Sequence, residues 1–197
     1  MRAEGSGCWW DMTVTLARPP TGPEHGPPGR VVPVKLRLSV RDLEPTDFGD
    51  LDWSGGAEHQ RALAAALQAA YAGELAVLVV ALANGRLVAL GAVDFRPDPD
   101  AGLLTMLSVH ERFQSLGLGT RLVAALEKKA RRAGCRRSRI TVEHDNPRAA
   151  ALYRRLGYAE VGSRVESWPV AGGRRYVTVS TVLERDLRPG ADDVAAH

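Results

Sequence analysis

The chain has 197 residues, 45% hydrophobic and 25% charged, with a net charge of +3. This is an ordinary composition for one globular domain, and no apolar run reaches the roughly 18 residues of a membrane span. Two isolated cysteines, Cys8 and Cys135, make neither a disulfide framework nor a metal site.

The start carries no apolar stretch followed by a small-residue cleavage site, so a reducing cytoplasm is the expected compartment. The pI of about 9.1 rests on arginine, since only three of the 26 basic residues are lysine. The densest basic run, residues 128–139 ("KKARRAGCRRSR"), lacks interleaved aromatics. It reads as a solvated helix face and loop rather than a nucleic-acid surface, with a role for one or two of its arginines on an anionic ligand as the alternative.

In chain order, residues 1–30 contain "ARPPTGPEHGPPGR" and read as a flexible tail carrying Trp9 and Trp10. The folded domain is expected over residues 31–188, with 189–197 frayed. "VPVKLRLSVR" alternates like a half-buried strand. "RDLEPTDFGDLDWSGG" is turn-rich with one short helix at most. "AEHQRALAAALQAAYAG" is an amphipathic helix on Leu63, Leu67 and Tyr71, stopped by Gly73. "ELAVLVVALANGRLVALGAVDF" gives two strands about the hairpin signal Asn84-Gly85, and "AGLLTMLSVH" a third. A helix follows on Leu118, Leu122 and Leu126, with Glu127 able to pair with Arg131 and Gly134 ending it. "RSRITVE" is a strand. "NPRAAALYRRLGY" is a helix with Asn146 as N-cap, Pro147 at its first position and Gly157 past its end. Two strands around "AGG" close the chain. The order predicts a single α/β domain with a mixed sheet of about seven strands and helices on both faces, in which the helix on Leu118–Leu126 makes a parallel crossover.

The chemical signal lies between the third strand of that run and the helix after it: Gln114-Ser115-Leu116-Gly117-Leu118-Gly119-Thr120. Glycine in a first helical turn costs roughly 1 kcal/mol relative to alanine, so the two glycines ask for a reason. A strand entering a helix through a glycine loop is an anion site, because the first helical amides lack internal partners and the helix dipole adds positive charge. Glycine also lets phosphate oxygens approach the backbone. A P-loop is disfavoured because Thr120-Arg121 stands where Lys-Ser/Thr is needed, and a dinucleotide fingerprint because residue 122 is leucine.

The stretch fits Gln/Arg-x-x-Gly-x-Gly/Ala, and with it the chain resembles the GNAT superfamily of N-acetyltransferases. "LSVHERFQSLGLGTRLVAALEKKARRAG" is similar to that family's fourth strand, pyrophosphate loop and long helix. "ITVEHDNPRAAALYRRLGYAEVG" is similar to its fifth strand and the helix after it. The resemblance implies acetyl-coenzyme A as co-substrate, no metal, and a fourth and fifth strand splayed apart so that the pantetheine arm lies between them. It places that arm on Leu107, Ser108 and Val109, and the pyrophosphate on Gln114, Ser115, Leu116, Gly117, Leu118, Gly119 and Thr120. It sets Asn146 near the acyl end and Arg148 or Arg121 at the 3′-phosphate. It makes Tyr153 both a cofactor contact and the proton donor to the leaving thiolate, and points the Val109 amide at the carbonyl oxygen.

The family's early strand-four glutamate is replaced here by Leu103 and Leu104. Glu143 is then the first choice for a base acting through water, with His144, Asp94 or water alone as alternatives. Asp47, Asp50 and Asp52 are candidates to attract a cationic amine, and Trp53, Trp168 and Tyr176 to line its pocket. Cys135 lies too far along the helix to serve as a nucleophile. The expected activity is direct acetyl transfer to a primary amine of a small molecule or peptide, without nucleic acid or membrane partners. A non-catalytic acyl-coenzyme A sensor is the alternative, and the last strands are where a homodimer would form.

Overall fold

The structure is a computed structural model that describes residues 8–16, 32–170 and 174–188. Its centre is an eight-stranded sheet made of β1 (Cys8–Leu16), β2 (Val32–Asp42), β3 (Leu75–Leu82), β4 (Leu87–Asp94), β5 (Ala101–Val109), β6 (Arg137–Glu143), β7 (Ala159–Val170) and β8 (Arg174–Asp186). The spatial order is β1-β2-β3-β4-β5-β6-β8-β7. Only β5 and β6 run parallel, joined by the expected crossover helix α2 (Leu118–Arg132).

The eighth strand corrects the sequence reading. Cys8–Leu16 pairs with Val40–Val32 of β2 inside the stretch taken as tail. Its "WDMTVTL" alternates apolar and polar residues as a strand should, and the proline- and glycine-rich run after it hides that signal. Met12 packs against the core. The side chains of Trp9 and Trp10, the rest of the expected tail and residues 189–197 lie outside the described residues.

Helices cover both faces. Along β3, Val77, Val79 and Ala81 pack with Leu63, Ala66 and Leu67 of α1 (Ala57–Tyr71), whereas Leu78 and Val80 pack with Leu118, Leu122, Val123 and Leu126 of α2. A strand buried on both faces must be apolar throughout, which explains "LAVLVVAL". Tyr71, in line with Leu63 and Leu67, is instead 65% exposed. The third helix, α3 (Pro147–Arg155), carries its predicted cap: the Asn146 Oδ1 accepts from the Ala149 amide at 3.0 Å. At the opposite end Gly157 takes φ +82.

Residues 45–54 form two short 3-10 turns rather than one helix. Asp47 caps the first, accepting from the Glu44 amide at 2.8 Å, and both of its oxygens take Arg41 at 2.6 Å. It is only 6% exposed. Asp47 is therefore a structural carboxylate, not one offered to an amine.

Most of the basic run is paired with carboxylates. Lys129 meets Asp42 at 2.6 Å, Arg136 meets Asp100 at 2.8 Å, and Arg137 and Arg139 share Asp98 and Glu184. The predicted Glu127–Arg131 contact is present at 3.7 Å, but Glu127 has nearer partners. Its carboxylate, 2% exposed, accepts from the Tyr158 hydroxyl at 2.9 Å and from Arg185 at 3.1 Å. Burial and the Glu127 charge hold the Tyr158 phenol well above its ordinary pKa, so it stays a donor. A second bond links it to Ser138 at 2.7 Å.

Candidate active site

Strand β5 pairs with β6 only from Ala101 to Leu104. Beyond that point β6 continues against β8 to Glu143, while Thr105–Val109 of β5 have no strand partner on that side among the described residues. The separation coincides with a bulge: the β4–β5 register slips between Leu90 and Ala92, and Met106 takes φ +54. A bulge leaves ladder groups unpaired and increases local twist, so Ser108 and Val109 stay paired with β4, Leu107 sits in the bulge beside them, and all three face an open gap. Leu107 and Val109 turn their side chains to the α2 core and Met106 to the α1 core.

The gap leads to the glycine loop. Gly117 is the N-cap of α2 with φ +77 and no side-chain cap, and Ser115 also lies in the left-handed region at φ +62. Left-handed residues on either side of Leu116 are the backbone alternation that makes an anion-binding concavity, and the uncapped helix end adds its free amides. The two glycines have different reasons. A Cβ on Gly117 would meet nothing within 4 Å, so its requirement is conformational and the space above it is open. A Cβ on Gly119 would stand 3.3 Å from Leu152 Cδ2, so Gly119 lets α3 lie close on α2.

Arg148 ties these parts together. From the first turn of α3 it donates to Gln114 Oε1 at 3.1 Å and to Ser115 Oγ at 2.8 Å. The Gln114 side-chain amide in turn donates to the Val109 carbonyl at 3.2 Å. Leu116 and Leu118 anchor the loop in the core, and Thr120 is half-buried in the first turn of α2. With the Asn146 oxygen engaged as the cap, its amide NH2 is what it has to offer a ligand.

Tyr153 is 5% exposed, edge-on to Tyr158 at 5.7 Å, and burial pushes its phenol up from 10.0 to about 12. Glu143 ends β6, and partial burial followed by the nearby Asp145 and Glu166 charges raises its carboxyl pKa. His144 is exposed and its backbone amide donates to Val179 at 3.0 Å. Asp94 is at the other end of the sheet, opposite Leu103 and Leu75. Burial alone would raise its pKa, but hydrogen bonds from Arg96 outweigh that and hold it below the ordinary value, so it makes a poor base. Cys135 is buried at the far end of α2, its thiol pushed up by burial and by Asp98 and Asp100.

A cleft of about 570 Å³ opens on the α1 side, lined by Asp50, Asp52, Trp53, Arg86 and His110 among others. Trp53 stands 5.4 Å from the His110 ring. His110 is 8% exposed, accepts from the Arg112 amide at 3.3 Å and lies 3.4 Å from Arg86. No periodic signal in the sequence singles out His110 or Arg86. The expected aromatic pocket is thus divided: Trp53 lines this cleft, Tyr176 sits on β8 opposite residue 168, and the Trp168 side chain lies outside the described residues. Among the described residues no group of three or more His, Cys, Asp or Glu is set to hold a metal, and no helix is long and apolar enough to cross a membrane.

The split between two parallel strands runs into an uncapped helix N-terminus, and the model of the acetyltransferase (GNAT) family matches residues 39–158. The chain belongs to the GNAT acetyltransferase family. The matched span begins in β2, takes in the gap, the loop and α3, and ends at Tyr158.

Solved structures share the fold. One is a spermidine N-acetyltransferase SpeG chimaera from Vibrio cholerae and hSSAT, 18% identical, with a TM-score of 0.62 over 76% of this chain and 95% of that one. Another is yncA from Salmonella typhimurium, described as an acetyltransferase with its cofactor acetyl-CoA, 20% identical, with a TM-score of 0.59 over 78% and 96%. A third is the ribosomal-protein-S18-alanine N-acetyltransferase of Escherichia coli, 21% identical, with a TM-score of 0.60 over 76% of this chain and 94% of that one. As a GNAT member the protein is an N-acetyltransferase, and the family's acetyl donor is acetyl-coenzyme A. The open β5 edge, the unobstructed Gly117 and the nearby Arg148 guanidinium fit a ligand with a polar arm and a pyrophosphate.

Proposed function

We propose that the protein moves an acetyl group from acetyl-coenzyme A directly to a primary amine of a small molecule or peptide, within a ternary complex. The observation that carries this reading is the continuity of the β5–β6 gap with the concavity at residues 114–120. In this assignment the amides of Gln114–Thr120 hold the pyrophosphate. The free edge at Leu107–Val109 and the Asn146 amide hold the arm, and Arg148, with Arg121 as the alternative, faces the 3′-phosphate. The bound co-substrate supplies an activated thioester.

The residues of this chain supply the rest. An ammonium acceptor with a pKa near 10.4 must lose a proton before it can attack. Glu143, whose raised pKa brings it nearer that task, takes the proton through water. The Val109 amide faces the carbonyl oxygen as it gains charge. Tyr153, protonated well above neutral pH, donates to the leaving sulfur. Asp50, Asp52 and Trp53 receive a cationic acceptor at the cleft. A cytoplasmic setting without nucleic acid or membrane partners belongs to the same reading, and the carboxylate-paired basic run supports it.

Two variants test these roles. Glu143→Gln should lower kcat/KM and remove the acid limb of its pH profile, a limb that burial shifts above the ordinary glutamate value in the unaltered protein. An unchanged profile would move the base to His144 or water. Tyr153→Phe should lower kcat about tenfold, less than a typical acid catalyst because a thiol with a pKa near 8.5 leaves readily unaided. A thiol-release assay over an amine panel measures both. The second reading, a sensor without catalysis, is favoured by Leu103 and the buried Leu104 where the family places an acid. It predicts binding of acetyl-coenzyme A with no thiol release on any amine.

A further inference from the structure

The outer edge of the sheet is β7, twelve residues long, and among the described residues no strand pairs with its free side. A long unpaired edge is a template for another strand. Here it is also apolar: Val161, Val165, Val177 and Val179 on β7 and β8 are 56%, 69%, 61% and 51% exposed. Directly paired residues share a face of the sheet, so the pairs Val165–Val179 and Ser167–Val177 lie on the side that carries Leu183 and α2. Arg164 and Glu166 lie on the other side, 3.3 Å apart.

We propose that β7 pairs with β7 of a second copy of this chain, antiparallel, about a two-fold axis at Val165. Both apolar faces stay on one side only if the axis is normal to the sheet and passes through a residue pair. Among such registers, an axis at residue 164 opposes arginine to arginine, and one at 166 opposes glutamate to glutamate. The axis at 165 sets each Arg164 against the partner's Glu166, so one symmetric contact yields two opposite-charge pairs. On the other face it builds a row of four valines, Val179 and Val165 from each copy, across four adjacent strands. Ser163 falls opposite Ser167. The edge is thus complementary to itself in one register by both charge and apolarity.

The contact is small. Residues 162–168 extend about 24 Å at 3.4 Å per residue, so with a ribbon roughly 10 Å thick the area falls well below the ~800 Å² per partner of a tight complex. The dimer is therefore a reversible, concentration-dependent one.

Sedimentation velocity over a concentration series of the full chain tests it. The unaltered protein should shift from monomer to dimer in the micromolar range. Arg164→Glu, which sets two carboxylates against each other at each pair, and Glu166→Arg, which does the same with two cations, should each raise the dissociation constant about tenfold or more. The double change Arg164→Glu/Glu166→Arg should return it to within about threefold of the original. Circular dichroism of each variant checks the fold. A protein that stays monomeric across the series overturns the proposal. So does a dimer indifferent to the single changes, or one that the double change fails to restore.

Discussion

Replacing Gly117 by tryptophan should weaken acetyl-coenzyme A binding at least about 100-fold, because a phosphate bonded to backbone amides loses charge-assisted hydrogen bonds worth roughly 1.5–3 kcal/mol each. Two effects combine. An L residue at φ +77 costs roughly 1–2 kcal/mol in the left-handed region, so the loop relaxes and its amides turn away. The indole also occupies the space that no protein atom fills within 4 Å of the Gly117 Cβ position. That same openness keeps the damage local, and unfolding stability should fall by only the roughly 1–2 kcal/mol of backbone strain. Titration calorimetry together with a urea curve separates the outcomes. Unchanged affinity in a folded variant would place the phosphates elsewhere.

Arg185→Leu should cost about 3 kcal/mol of stability, at the low end of what breaking a buried ion pair costs. The Glu127 side chain is 3% exposed and Arg185 20%, at 3.1 Å. Without the guanidinium, a buried carboxylate keeps, among the described residues, the Tyr158 hydroxyl and Arg131 at 3.7 Å. Those remaining partners are why the low end applies. Removing both charges, as in Glu127→Met with Arg185→Leu, should recover most of the loss, since an apolar pair of similar size carries no desolvation cost. Urea denaturation measures both. A loss below about 1 kcal/mol for the single change would mean that Glu127 is solvated.

The fold was legible wherever one local rule decided a segment. Asn84-Gly85 marked its hairpin, Asn146-Pro147 opened α3, and the spacing of Leu118, Leu122 and Leu126 gave the buried stripe of α2. Cys8–Leu16 was missed because compositional bias just after it outweighed a seven-residue alternation. Tyr71 misled because its spacing fits a stripe that the sheet does not reach.

The loop was found because glycine announces positive φ. Ser115, at φ +62, gives no such signal, and the same is true of Met106 at the bulge. Their conformations are imposed by strand pairing and by helix α3 through Arg148, which no local pattern encodes. The same limit explains Asp47 and Gly119. One looks like a free turn carboxylate until Arg41 closes on it, and the other shows its packing role, besides its place in the loop, only once Leu152 is seen against it. His110 and Arg86 meet only because β5 ends beside the β3–β4 turn, a tertiary accident invisible to spacing.

Amide hydrogen exchange with and without acetyl-coenzyme A tests the central assignment most directly, because it reads the backbone groups themselves. Exchange should slow at residues 105–109 and 114–120 together, while the amides lining the Asp50–Trp53 cleft are unchanged by the co-substrate alone. Protection confined to other segments, or none at saturating co-substrate, would contradict the gap and the loop as the acetyl-coenzyme A site.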